Sequence, residues 1–188
     1  QFDEATSVMT YAQQPWYIGI ADYSQPNNHI LNTLLVRSAL ITTGSAEWSV
    51  RLGAFIFGIC VLLATFVYAS VMYSRHAAIL ALSFIGVSMP FVDMSTNARG
   101  YSIVAFCGIV SHLAIYYLVT CRSRLAALAF SFSIFLGLFS VPVAILYVLS
   151  SVLCGLVYYV KKYQLTFNAS VVRLLVLSLI SGIFMVLF

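Results

Sequence analysis

Residues 125–160 form a run of 36 positions without one Asp, Glu, Lys or Arg. A single helix of that length would be about 54 Å long, far more than the roughly 30 Å of hydrocarbon in a bilayer. Ser140-Val141-Pro142 divides the run, and Pro142 suits the first turn of a second helix, where its missing N–H costs nothing. The run therefore reads as two membrane spans joined by a tight hairpin. A soluble domain holds about a quarter charged residues; this chain holds 7%, with 62% hydrophobic residues and a mean hydropathy of +1.02. The expected class is an all-α, polytopic transmembrane bundle, because backbone groups in lipid must be paired within the span. A β-barrel is excluded by apolar runs that are continuous rather than alternating.

Breakers place the remaining spans at about 47–73, 77–93, 100–120 and 170–188, around the pair at 125–140 and 142–160. Residues 46–188 are thus expected to hold six spans. Residues 1–45 are expected to form an extracytoplasmic loop, polar and aromatic over 1–27, with a juxtamembrane helix at about 29–43. That segment, HILNTLLVRSALITT, is apolar but too short to cross comfortably. Six spans put Arg75, Arg122, Arg124, Lys161, Lys162 and Arg173 on one side, the cytoplasmic one by the positive-inside rule. All five acids, Asp3, Glu4, Asp22, Glu47 and Asp93, fall on the opposite side with Arg37, Arg51 and Arg99. That segregation calls for chemistry on the outer face. The charge of +4 records topology and not nucleic-acid binding, since no basic cluster with interleaved aromatics exists. Cys60, Cys107, Cys121 and Cys154 have no CxxC spacing and read as small hydrophobes. No internal repeat of the transporter kind is present.

Four short motifs follow one another on the outer face. They are Phe2-Asp3-Glu4-Ala5, Pro26-Asn27-Asn28-His29-Ile30-Leu31, Ser45-Ala46-Glu47-Trp48 with Arg51-Leu52, and Ala98-Arg99-Gly100-Tyr101-Ser102. In this order and spacing they resemble the dolichyl-phosphate-mannose mannosyltransferases, glycosyltransferase family 39 and its bacterial relatives, over about residues 2–120. The resemblance implies a GT-C fold, a first outer loop with two short interfacial helices at about 3–13 and 29–43, and a polyprenyl-phosphate sugar donor. It also implies transfer, with inversion, to an acceptor hydroxyl on a glycan, lipid or protein. Asp3 is then the catalytic base, because a hydroxyl far from ionisation at pH 7 needs a positioned proton acceptor. Glu4 is its positioning or substrate-binding partner. Asp3 as a plain helix N-cap is a compatible alternative.

A leaving phosphate needs positive charge or N–H donors. His29, Arg99 and Arg51 are the outer-face candidates for that role. The resemblance implies it for His29, and Arg99, at the re-entry of an outer loop, suits bidentate phosphate binding. Asn28, Asp93 and Tyr101 are substrate-binding candidates. The alternatives are a solvated interfacial histidine and an Asp93–Arg99 ion pair. Arg51 lies one turn from Glu47 and reads first as its structural partner. His112, within a span, reads first as an interhelical hydrogen-bonding group and second as a proton-path residue. No metal site is expected: a divalent ion at Asp93 is weakly supported because the spacing fixes no ligand set. The runner-up functions are a transporter and a non-catalytic membrane scaffold. The neutral loops favour a bacterial inner membrane over the endoplasmic reticulum. The chain begins Gln-Phe and ends within an apolar run. It is therefore expected to be the N-terminal catalytic part of a longer protein, lacking its first span and inactive alone.

Overall fold

The computed structural model describes residues 8–21, 29–44, 46–164 and 168–187. Asp3, Glu4, Asp22 and Asn28 lie outside the described residues, as does the first half of the helix expected over 3–13. Every regular element among the described residues is helical. A single π-helical turn, Val8–Ala12, is followed by α1 (Trp16–Ala21), α2 (Ile30–Thr43) and α3 (Glu47–Met72). Then come α4 (Arg75–Gly86), α5 (Met89–Thr96) and α6 (Tyr101–Cys121). The last three are α7 (Arg124–Ser140), α8 (Ile145–Tyr163) and α9 (Ala169–Leu187).

Local sequence explains most of the boundaries. Gly44 ends α2 with a φ of 85°, a backbone state that suits glycine, and its N–H donates to the Leu40 carbonyl at 3.1 Å. Ser74 and Ser123 cap α4 and α7 by accepting from Ala77 N and Ala126 N, both at 3.2 Å. The expected hairpin break is present: α7 stops at Ser140, and Pro142–Ala144 forms a 3-10 turn before α8.

The span expected at 77–93 is not one straight helix. It is two, α4 and α5, bent by 68°. Pro90 is the cause, since its ring has no N–H to offer Gly86 and would collide with that carbonyl in a continuous helix. Pro90 instead occupies the first turn of α5, where neither penalty applies.

Three helical segments among the described residues are long and apolar enough to cross a membrane: Glu47–Met72, Tyr101–Cys121 and Pro142–Tyr163. The bent α4–α5 pair makes a fourth if it counts as one span. Arg124–Ser140 and Ala169–Met185 are shorter apolar helices, as is Ile30–Thr43. With these helices the chain is a membrane protein, and by length and composition three or four segments among the described residues qualify as crossings.

The chain divides into two compact units, Gln1–Phe106 and Cys107–Phe188, the boundary falling inside α6. In the first unit α3 packs against α2, α4 and α5. It buries Ala54, Gly58, Val61, Thr65 and Ala69, a seam of mostly small residues that lets helices approach closely in lipid. A Cβ on Gly58 would stand 2.5 Å from Ser95 Cβ, so α5 can lie there only against glycine. Phe55, Ile56, Ile59 and Leu63 point outward, as a lipid-facing surface requires. In the second unit α7 packs against α9, and Phe130, Ile134, Ile115 and Val148 form the core. Gly182 of α9 admits the Ser131 carbonyl of α7, which a Cβ would meet at 2.8 Å.

Candidate functional site

The first unit gathers polar side chains where the start of α2 meets the start of α6. His29 immediately precedes α2, and its carbonyl accepts the Thr33 N–H at 2.9 Å. Its ring packs edge-on against Tyr101, centroids 5.1 Å apart and planes at 69°. Two of the motifs, separated by some 70 residues of chain, therefore touch through side chains. His29 is only 7% exposed, and Nδ1 has no hydrogen-bond partner among the described residues. Burial pushes the imidazole down to about 4, and the Arg99 guanidinium acts in the same direction. At neutral pH His29 is uncharged, and Arg99 is the cation of the pair.

Behind the ring lies a small cavity lined by Val8, Ala12, His29, Asn32, Thr33, Val36 and Ala98. Its volume, about 10 Å³, is close to the smallest that holds one water. Asn32 is 3% exposed and its Oδ1 is unpartnered among the described residues. The Tyr11 hydroxyl and Ser102 Oγ, each on a side chain 1% exposed, are in the same condition. Arg37 fastens this corner by donating to the carbonyls of Ala12, at 3.3 Å, and Gln14. It is a clamp between the π-turn and α2. Thr43 Oγ1 donates to Ser49 Oγ at 2.9 Å and ties the other end of α2 to α3.

A second, larger groove of about 740 Å³ runs along the start of α3, lined by Glu47, Trp48, Arg51, Leu52, Phe55 and Thr96. That volume is within the range of small-molecule sites, about 300–1,000 Å³. Arg51 Nη2 meets Glu47 Oε1 at 3.1 Å, the one-turn pair expected from spacing. One end of the groove is thus polar and its wall aromatic and aliphatic.

The candidates differ in how they are placed. His29 and Tyr101 are in ring contact, and the Arg99 guanidinium acts electrostatically on the same imidazole. Asp93 is exposed on α5, and its carboxylate has no hydrogen bond or ion pair among the described residues, so the Asp93–Arg99 pair is not formed. Asp3, Glu4 and Asn28 lie outside the described residues. No group of three His, Cys, Asp or Glu suited to a metal occurs among the described residues.

His112 is in the second unit and is fully engaged. Its Nδ1–H donates to the Gly108 carbonyl at 2.8 Å, which leaves Nε2 to accept from the Ser150 hydroxyl of α8 at 3.2 Å. It is an interhelical tie, as first expected. Tyr11, Asn32 and Ser102 escaped the sequence reading. Asn32 carried a usable signal, since it stands three residues from His29 at the head of one helix face.

No family model, curated protein or solved structure matches this chain.

Proposed function

We propose that this chain belongs to a membrane-embedded glycosyltransferase that takes a sugar from a polyprenyl-phosphate donor. Asp3 accepts the proton of an acceptor hydroxyl, on a glycan, lipid or protein. The freed oxygen attacks the anomeric carbon from the face opposite the phosphate, and the carbon–phosphate-oxygen bond breaks. Polyprenyl phosphate leaves, and the configuration inverts. Arg99 carries the positive charge that meets the phosphate. His29, neutral at pH 7, contributes a hydrogen bond rather than a second charge.

The observation that carries this proposal is the contact between His29 and Tyr101 with Arg99 acting on the same imidazole. His29 of one motif and Tyr101 of another are in ring contact, and His29 Nδ1 has no hydrogen-bond partner among the described residues. The groove beside Glu47 and Arg51, polar at one end and apolar along its wall, suits a sugar phosphate on a lipid. A transporter would need ionisable groups open to a path within the spans. His112, the histidine of α6, instead has both ring nitrogens bonded. In this proposal α7 and α9 also cross the membrane, α4 and α5 together make one crossing, and α2 lies at the interface. The site faces away from the cytoplasm, in a bacterial inner membrane.

The test is transfer by the full-length protein from a polyprenyl-phosphate sugar. Asp3→Asn is expected to lower the rate about 10²- to 10⁴-fold, the usual worth of a general base. An undiminished rate would overturn the assignment.

A further inference from the structure

The second unit has a charge imbalance that the proposed reaction does not use. Residues 107–188 contain Arg122, Arg124, Lys161, Lys162 and Arg173 and no Asp or Glu at all. Counter-charge has to come from outside this unit. Two of the cations are gathered on one aromatic ring. Arg122 and Lys162 stand 5.9 Å and 5.8 Å from the centroid of Tyr163, within cation–π range. Arg122 Nε also donates to the Tyr163 hydroxyl at 3.4 Å, and that hydroxyl donates to the Val119 carbonyl at 3.2 Å. Lys162 donates to the Thr120 carbonyl. Arg122 reaches this position from a left-handed backbone, φ 52°, that few arginines adopt. Both cations remain exposed.

One turn back along α8, the Tyr159 ring lies 5.0 Å from that of Tyr163. Tyr159 also lines an apolar groove of about 240 Å³ formed by α7, α8 and α9, with Phe130, Val152, Leu156, Val172 and Leu175 in its wall. Tyr159 is the one lining residue with a polar side-chain atom, and its hydroxyl accepts the Asn168 N–H at 2.6 Å. The groove is therefore hydrocarbon in character, and the ring of its one polar lining residue packs against the tyrosine that holds the two cations.

We propose that this unit binds one anionic phospholipid, its acyl chain in the α7–α8–α9 groove and its phosphate against Arg122 and Lys162. A chain without a head would leave the cations unanswered, and a free phosphate would leave the groove unused. Joined in one amphiphile, the two halves match a site with adjoining cationic and apolar halves. Basic residues next to a membrane span attract anionic headgroups. By the arrangement of basic residues along the chain, this end faces the cytoplasm.

The full-length protein, stripped of lipid in detergent, is offered phosphatidylglycerol or phosphatidylcholine with identical acyl chains, and bound lipid is counted by native mass spectrometry. Phosphatidylglycerol is expected to bind in preference. The double substitution Arg122→Gln with Lys162→Gln should weaken it about 30-fold, as loss of two juxtamembrane cations implies, and leave phosphatidylcholine unchanged. The charge-conserving pair Arg122→Lys with Lys162→Arg should retain the preference, which separates charge from a folding defect. Leu156→Trp, which fills the groove, should also weaken phosphatidylglycerol. Equal binding of the two lipids overturns the proposal, as does full retention by the Gln double variant. Undiminished binding to Leu156→Trp, or displacement by inorganic phosphate at the lipid's own concentration, overturns it as well.

Discussion

The two units differ in how far their buried polar groups are satisfied. In residues 107–188 the buried serines close on one another. Ser111 donates to Ser151 at 2.9 Å, Ser151 to the Val148 carbonyl, and Ser131 bridges to Ser181 and to the Ser178 carbonyl of α9. In residues 1–106 six buried side-chain atoms have no partner among the described residues, on Tyr11, His29, Asn32, Thr65, Ser70 and Ser102. Hydrogen bonds that close within the protein serve packing, since in lipid each satisfied pair holds two helices together. Buried polar atoms left open cost free energy, and four of the six lie in the elements that meet at His29. Under the proposed function, the open atoms around His29 are where the polar part of the donor would enter.

The largest expected effect on this contrast comes from pH. His29 titrates at about 4 in the fold against 6.5 when unperturbed. Between those values the unfolded chain binds a proton that the folded chain refuses, so stability falls as pH is lowered through this window and is fully present above 6.5. The loss reaches at most about 3 kcal/mol. Thermal unfolding in detergent from pH 7 to pH 4 should show it, and His29→Gln should flatten the dependence. Matching profiles for the two proteins would break the contrast at its centre.

Smaller effects of opposite sign are expected from hydroxyl deletions. Tyr11→Phe removes a buried hydroxyl with no partner among the described residues and should raise thermal stability, by about 1–3 kcal/mol. Ser111→Ala breaks a closed interhelical bond and should lower it, by about 0.6 kcal/mol and not beyond about 1.7. The same sign for both would mean that the units do not differ in this respect.

Much of the helical layout was legible because apolar runs and their breakers are local signals. The α7–α8 break at Pro142 and the Glu47–Arg51 pair both follow from neighbours in the chain. The α4–α5 bend was missed although Pro90 is in plain view: the apolar run continues across it, and composition alone does not distinguish a kinked span from two helices. At the candidate site, His29, Arg99 and Tyr101 were legible as charged or aromatic residues in short motifs at an expected membrane edge. Tyr11 was not, because a lone polar residue in apolar surroundings looks the same whether a distant helix satisfies it or not, and for Asn32 and Ser102 the sequence places them near His29 and Tyr101 without telling whether they are satisfied. The serine network of residues 111–181 was silent for the same reason. Only tertiary packing decides which hydroxyls meet.

In the proposed function His29 and Arg99 receive the phosphate of a lipid-linked sugar. That role is tested most directly by following the ring nitrogens of His29 by NMR through a pH titration of the full-length protein, with and without polyprenyl phosphate. Without the lipid the imidazole should titrate near 4. With it, the phosphate charge offsets Arg99 and favours the imidazolium, so the midpoint should move upward. A midpoint that polyprenyl phosphate leaves unmoved would contradict the account.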